Sequence, residues 1–269
     1  PLPEERMKNL STKTTITWPI TLACGALLTS VPENAQDLES PKRPLGIQAS
    51  ADLVSMYVWR GWILTHRDPV LQPSITYAPS FLPGASLNFW SSGGLVSKPS
   101  AGDYHNTIDE FDTTLEYARP IISDKLTMSA GGLWYYYPSD WQSYSGANRH
   151  DFELFLSLSY ALHPYFSPYV TYYRGLDFEI RGNYLEFGVT GSKSFSEHWS
   201  IAPSAQAGYQ DQYGLAGNIT FVGFSVPLAY EVKGFTISPY YSFTFDLDDL
   251  NGEGRKGNSF GGLRLSYSF

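Results

Sequence analysis

The stretch Phe235-Thr-Ile-Ser-Pro-Tyr-Tyr-Ser-Phe-Thr-Phe-Asp246 decides the fold class. Phe235, Ile237, Pro239, Tyr241, Phe243 and Phe245 fall on every second position, and all are apolar or aromatic. The residues between them, Thr236, Ser238, Tyr240, Ser242, Thr244 and Asp246, carry hydroxyls and a carboxylate. Successive side chains of a strand point to opposite faces, so this period of two predicts one apolar face and one polar face. The stretch 151–161 repeats it: Phe152, Leu154, Leu156, Leu158 and Tyr160 alternate with Glu153, Phe155, Ser157 and Ser159.

Working outward, twelve alternating segments cover the chain from residue 47 onward: 48–60, 70–79, 84–93, 107–118, 124–137, 151–162, 167–174, 183–194, 198–209, 217–229, 233–246 and 257–269. A membrane-crossing strand needs about 9–11 residues, and these segments supply that length. Short connections such as Arg119–Lys125, Leu162–Phe166, Phe195–His198 and Glu231–Gly234 alternate with longer polar ones. The longer set is Gly61–Pro69, Gly94–Asn106, Ser139–His150, Gly175–Gly182, Asp211–Leu215 and Leu247–Lys256. Short turns at one end and long loops at the other predict an all-β, antiparallel up-and-down transmembrane barrel over 47–269. Alternation alone would equally suit a soluble sandwich that buries its apolar face.

Composition narrows the choice. Of 269 residues, 16% are charged and 16% aromatic, with 24 glycines, 20 tyrosines and one cysteine. About 25% charge is usual for a soluble domain. The abundance of aromatics excludes disorder. The longest weakly polar run, Trp18–Leu28, is too short for a spanning helix of about 20 residues. A lone Cys24 excludes a disulfide scaffold. The net charge of −8 argues against a nucleic-acid partner, which calls for a basic surface. Read from Met7, residues 1–35 have the features of an export signal: Lys8 and Lys13, then an apolar stretch from Ile16 to Leu28 interrupted by Pro19. A cut near Ala35 and lipoprotein processing at Cys24 are the alternatives there. Residues 36–46 read as a periplasmic lead-in.

Aromatic residues gather at the strand ends, as interfacial belts require. Tyr77, Tyr117, Tyr160 and Trp199 mark the short-turn side, and Trp59, Trp62, Trp134–Tyr137 and Trp141 the long-loop side. The chain closes on an alternating strand with Leu263, Leu265, Tyr267 and Phe269 on one face. Such an ending resembles the C-terminal signal read by the barrel-assembly machinery, with Phe269 as the contact. The segment Ala49-Ser-Ala-Asp-Leu-Val-Ser-Met-Tyr-Val-Trp-Arg-Gly61 is followed by Gln72-Pro-Ser-Ile-Thr-Tyr77 and Ala85-Ser-Leu-Asn-Phe-Trp-Ser-Ser92. This order resembles the TorF-type family of outer-membrane porins, whose first strand reads roughly S-A-D-x-x-S-x-Y-x-x-R-G. The likeness is strongest over 49–92, and the later barrel agrees in pattern and length rather than in motif. It implies an outer-membrane location, contact with lipid and lipopolysaccharide, and no catalytic set.

If the apolar faces meet lipid, the opposite faces line a lumen. That side holds Asp52 and Arg60 on the first strand, Glu110, Asp112 and Glu116 on the fourth, and Glu153 on the sixth. Glu186 on the eighth, Asp246 on the eleventh and Arg264 on the last complete it, with Tyr135, Tyr169, Tyr173, Tyr240 and Gln206 among them. Seven carboxylates against two arginines predict a cation-preferring passage for small solutes. The same charges could instead form a structural network inside a packed barrel.

Three other readings come from the loops. His66, His105 and His150, near Ser91, Ser92, Ser143 or Ser145, could serve a lipid hydrolase, which needs nucleophile and base within hydrogen-bond reach. Asp246–Glu253 is dense in hard oxygens, yet departs from EF-hand spacing, so a solvated acidic loop is the simpler reading. His163 and His198 fall in short turns, as surface residues. The moderate loops suit an adhesion or scaffold barrel less well than a channel. No metal centre and no cofactor are expected.

Overall fold

The computed structural model describes residues 45–65, 67–95, 108–122, 125–138, 150–177, 181–212 and 217–269. The expected export signal, most of the lead-in, His66, His105, Trp141, Ser143 and Ser145 lie outside them. Twelve strands form the wall: β1 (Ile47–Val54), β2 (Val70–Tyr77), β3 (Ala85–Gly94), β4 (Ile108–Ile122), β5 (Leu126–Tyr136) and β6 (His150–Tyr160). They continue with β7 (Phe166–Gly175), β8 (Gly182–Gly191), β9 (Ser204–Gln210), β10 (Asn218–Val232), β11 (Phe235–Asp246) and β12 (Gly257–Ser268). The short pieces Lys193–Ser194 and Trp199–Ile201 carry the pairing of β8 and β9 on toward the short turns.

Each strand pairs antiparallel with the next. β12 then returns to β1, with Ser268 opposite Gln48, Arg264 opposite Asp52 and Gly262 opposite Val54. The sheet is therefore a closed antiparallel barrel of twelve strands without a free edge. The expected segments match the strands closely, with one exception at the first. The tight turn between β10 and β11 shows how local chemistry sets register. Lys233 (φ 51°) and Gly234 (φ 81°) both take the left-handed backbone that a two-residue hairpin demands, which leaves Val232 opposite Phe235.

Alternation sorts the side chains as expected. On β6, Leu154, Leu156, Leu158 and Tyr160 are exposed on the outside, while Asp151 and Glu153 are buried inside. On β11, Phe235, Ile237 and Tyr241 face out and Ser238, Ser242, Thr244 and Asp246 face in. Leu53, Ile75, Phe89, Leu115, Phe187, Phe224 and Leu265 extend the outer apolar surface around the wall. The buried apolar cluster sits within the long-loop half of the lumen, around Tyr57, Trp59, Trp90, Leu133, Tyr135, Tyr137, Tyr173, Tyr184 and Phe221.

Two expectations are corrected here. The first strand ends at Val54, not residue 60. The long-loop aromatic belt is also thinner than its sequence suggests. Trp134 and Tyr136 are on the outer face, stacked with His150 at 5.4 and 5.0 Å. Tyr135 and Tyr137 have the opposite parity and are buried in the lumen, and Trp59 follows them inward on a hairpin.

Candidate functional site

After Val54 the chain stays at the wall for one more bond, the Ser55 N–H donating to the Gly261 carbonyl at 2.9 Å. It then folds into the barrel mouth as a small hairpin, Val58–Trp59 against Trp62–Ile63, with Val58 opposite Ile63. The Leu64 N–H donates to the Tyr57 carbonyl at 2.9 Å and the Tyr57 N–H to Thr65 Oγ1 at 3.0 Å, closing its base. Its tip, Arg60 (φ 46°) and Gly61 (φ 85°), is a second two-residue turn with both residues left-handed. A Cβ on Gly61 would lie 2.9 Å from Phe221 Cβ and from Leu250 Cδ1, so only glycine fits between β10 and the loop 247–256. Arg60 therefore leaves the first strand and enters the lumen on this tip.

There its guanidinium grips Glu153 with two parallel bonds, Nη1 to Oε1 at 2.9 Å and Nη2 to Oε2 at 2.7 Å. Both side chains are buried, at 1% and 0% exposure. Gln212 accepts from Arg60 Nη1 at 3.0 Å and donates to Glu153 Oε1 at 2.9 Å. The Tyr135 hydroxyl donates to Glu153 Oε2 at 2.8 Å. The Trp59, Tyr173 and Tyr184 rings surround the cation at 4.5, 4.6 and 4.0 Å from their centroids. A buried ion pair needs this many partners to offset desolvation.

The last long loop locks the hairpin from above. Asp246, at the end of β11, accepts the backbone N–H groups of Asp248, Leu250 and Asn251 at 3.1, 3.0 and 3.2 Å. Asn251 then accepts from the Ile63 N–H at 2.7 Å and donates to the Gly61 carbonyl at 3.0 Å. Asp246 thus organises its loop rather than lining an open passage, and among the described residues no cluster could hold a metal ion. At the rim Arg67 pairs with Glu253 at 3.1 and 2.7 Å, both partly exposed. Hydrogen bonding to Arg67 holds the Glu253 carboxyl below its ordinary value.

The remaining expected residues divide into three groups. Asp52 and Arg264 face each other across the β1–β12 seam and pair at 2.7 and 2.5 Å. Glu110, Asp112 and Glu186 are buried in the long-loop half. Glu110 accepts from the Tyr57 hydroxyl at 3.3 Å, and Glu186 from the hydroxyls of Tyr169 and Tyr184 at 2.9 and 2.7 Å. Glu116 stands apart, half-buried on the inward face of β4 nearer the short turns. Around it the inward positions are mostly small and hydroxylated: Ser50, Ser74, Thr76, Ser129, Ser157 and Ser159.

Reading by sequence missed Asp151, Tyr184, Gln210 and Gln212, all fully buried in the lumen wall or mouth. Parity would have found the first three. Gln212 lies beyond the end of its strand, where no periodicity applies. The hydrolase reading gains nothing from the geometry: His150 stacks on Trp134 and Tyr136, and Ser92 Oγ accepts from Gln72 Nε2 at 3.4 Å. Among the described residues no hydrogen bond joins a histidine side chain to a serine. His163 and His198 are exposed.

A cavity of about 80 Å³ lies beside the hairpin, bordered by Trp59, Arg60, Glu186, Gln206, Phe221 and Thr244. No protein-family model matches the chain, and no curated protein matches it. Its architecture has solved counterparts. It is similar to the KdgM porin, at TM-score 0.53 and 12% identity over 82% of this chain and 99% of that one. It is similar to LpxR from Salmonella typhimurium, at TM-score 0.51 and 13% identity over 82% of this chain and 100% of that one. The COG4313 outer membrane channel from Pseudomonas putida F1 aligns at TM-score 0.50 and 11% identity over 83% of this chain and 95% of that one. At these identities the likeness concerns the fold, and it places the chain among closed up-and-down β-barrels.

Proposed function

We propose that this chain is a bacterial outer-membrane channel for passive passage of small solutes, with a preference for cations. One observation carries the reading: the barrel is apolar outside and polar inside, the reverse of a water-soluble barrel. The porin and channel named among its structural counterparts support it, as does the likeness of 49–92 to TorF-type porins. On this reading the outer aromatic and aliphatic surface meets lipid and lipopolysaccharide, and the barrel-assembly machinery engages the strand ending in Phe269.

The cation preference rests on Glu116 and Glu186. Arg60 and Arg264 are each committed to one carboxylate, Glu153 and Asp52. Glu186 is held by tyrosine hydroxyls and Glu116 faces the hydroxyl-lined half. An acidic surface inside a low-dielectric wall concentrates cations. The hairpin narrows the passage at the level of Arg60. Planar-bilayer recording of the purified barrel in a salt gradient is expected to show a small conductance whose reversal potential favours the cation. Glu116→Gln and Glu186→Gln should each move that potential toward zero. Anion preference would overturn the selectivity, and an absence of conductance would overturn the channel.

The Arg60–Glu153 clasp favours a second reading, a structural barrel sealed by its hairpin. It predicts no conductance in the intact protein and conductance once residues 57–64 are replaced by a short Gly/Ser link.

A further inference from the structure

We infer that the cavity beside the hairpin is a binding site for a small neutral polyol. The inference deepens the channel reading by naming a solute class, and rests on it only for the solute's passage. Three adjacent strands build the wall. Gln206 on β9, Gly223 on β10 and Thr244 on β11 stand side by side in register. Gly223 leaves the space open: a Cβ there would sit 3.4 Å from Gln206 Cγ and 3.5 Å from Thr244 Cγ2, inside the same recess. Gly208, by contrast, makes room for the Phe221 and Tyr184 rings, so it admits protein rather than solute.

The polar groups point to the ligand's chemistry. Among the described residues, the buried Arg60 Nε–H and the buried Thr244 Oγ1 have no hydrogen-bond partner, and both residues border the cavity. Arg60 uses three of its five N–H groups on Glu153 and Gln212, so the Nε–H and one Nη2–H are left to donate to the ligand. Each Glu186 oxygen accepts one tyrosine hydroxyl and retains a lone pair. The Gln206 amide both donates and accepts. A wall that mixes donors and acceptors matches hydroxyls, which do both. The Trp59 and Phe221 rings supply the apolar face that C–H groups need. An anion would meet the Glu186 carboxylate, and a cation would lie beside Arg60. One water needs about 10–15 Å³ of such space, so about 80 Å³ admits roughly five to eight waters or a polyol of about three to five carbons.

The test is saturation-transfer NMR of glycerol, erythritol and xylitol on the full chain in detergent micelles, a measurement that does not depend on conductance. Saturable transfer is expected. Gly223→Leu, which fills the recess without removing a polar group, should abolish it. Thr244→Val keeps the shape and should weaken it about three- to tenfold, the effect of one lost hydrogen bond. Native strand content by circular dichroism controls for folding. Transfer that is absent, unchanged in Gly223→Leu, or stronger for choline or glycerate than for xylitol overturns the inference. Binding without any bilayer conductance would support the site while removing the channel reading.

Discussion

Arg60 accepts two unfavourable conditions at once, a left-handed backbone at φ 46° and a charge with 1% of its side chain exposed. Its partners make both tolerable, so removing it should be costly. Arg60→Ala leaves Glu153 as an uncompensated buried carboxylate and should destabilise the barrel by about 3–5 kcal/mol. The double variant Arg60→Ala/Glu153→Gln should recover part of that loss. Urea unfolding in detergent measures both, and a neutral Arg60→Ala would show that the clasp is idle. At the exposed rim the effect is of another kind. Glu253 is solvent-exposed, and its pairing with Arg67 holds its carboxyl below the ordinary value. A depressed carboxylate contributes stability that is present above its unfolded value and lost as pH falls through the folded one. The contact between the first and last long loops should therefore weaken on acidification below about pH 4.5, and also in high salt. The acid limb of the unfolding midpoint should flatten in Glu253→Gln.

Among the elements, the inward hairpin separates what sequence shows from what it hides. Twelve strands follow from apolar and hydroxylated residues in alternation, because a period of two puts one set outside the wall and the other inside. Past Val54 the inward parity carries Met56 and Val58 before Arg60, a short lapse of the alternation that does not mark where the chain leaves the wall. The turn is concealed as well: Arg60-Gly61 takes the place of the Asn-Gly or Asp-Gly that usually signals two left-handed residues. Trp59 and Tyr135 were legible as aromatic residues at a strand end, but only three-dimensional packing turns them into filling for the mouth. Gly61→Val tests the element. It demands φ 85° of a β-branched residue and pushes its Cβ into Phe221 and Leu250. The hairpin should be displaced, with single-channel conductance rising severalfold while strand content by circular dichroism stays constant. Unchanged conductance would mean that the hairpin does not set the cross-section.

For the whole molecule, the inward set was legible from parity, whereas its distribution was not. Counting seven carboxylates and two arginines treats the lumen as one compartment. The structure divides it into a mouth filled by tyrosines, glutamines and paired charges, and a half lined by serine and threonine around Glu116. Which arginine meets which acid depends on strands far apart in sequence, as with Arg60 and Glu153, 93 residues apart.

The β1–β12 seam has a kinetic consequence. Asp52 waits for Arg264 across 212 residues, and until that strand is in place both β1 and β12 present bare edges. Closure is then the last and slowest commitment of the chain, and the interval before it is when aggregation is most dangerous. Leu45 and Phe269 already touch, the Leu45 N–H donating to the Phe269 carbonyl at 3.3 Å. A circular permutant that links these two ends and opens in the loop between β5 and β6 should form the Asp52–Arg264 seam early and close last between β5 and β6, where Leu133 stands opposite Glu153.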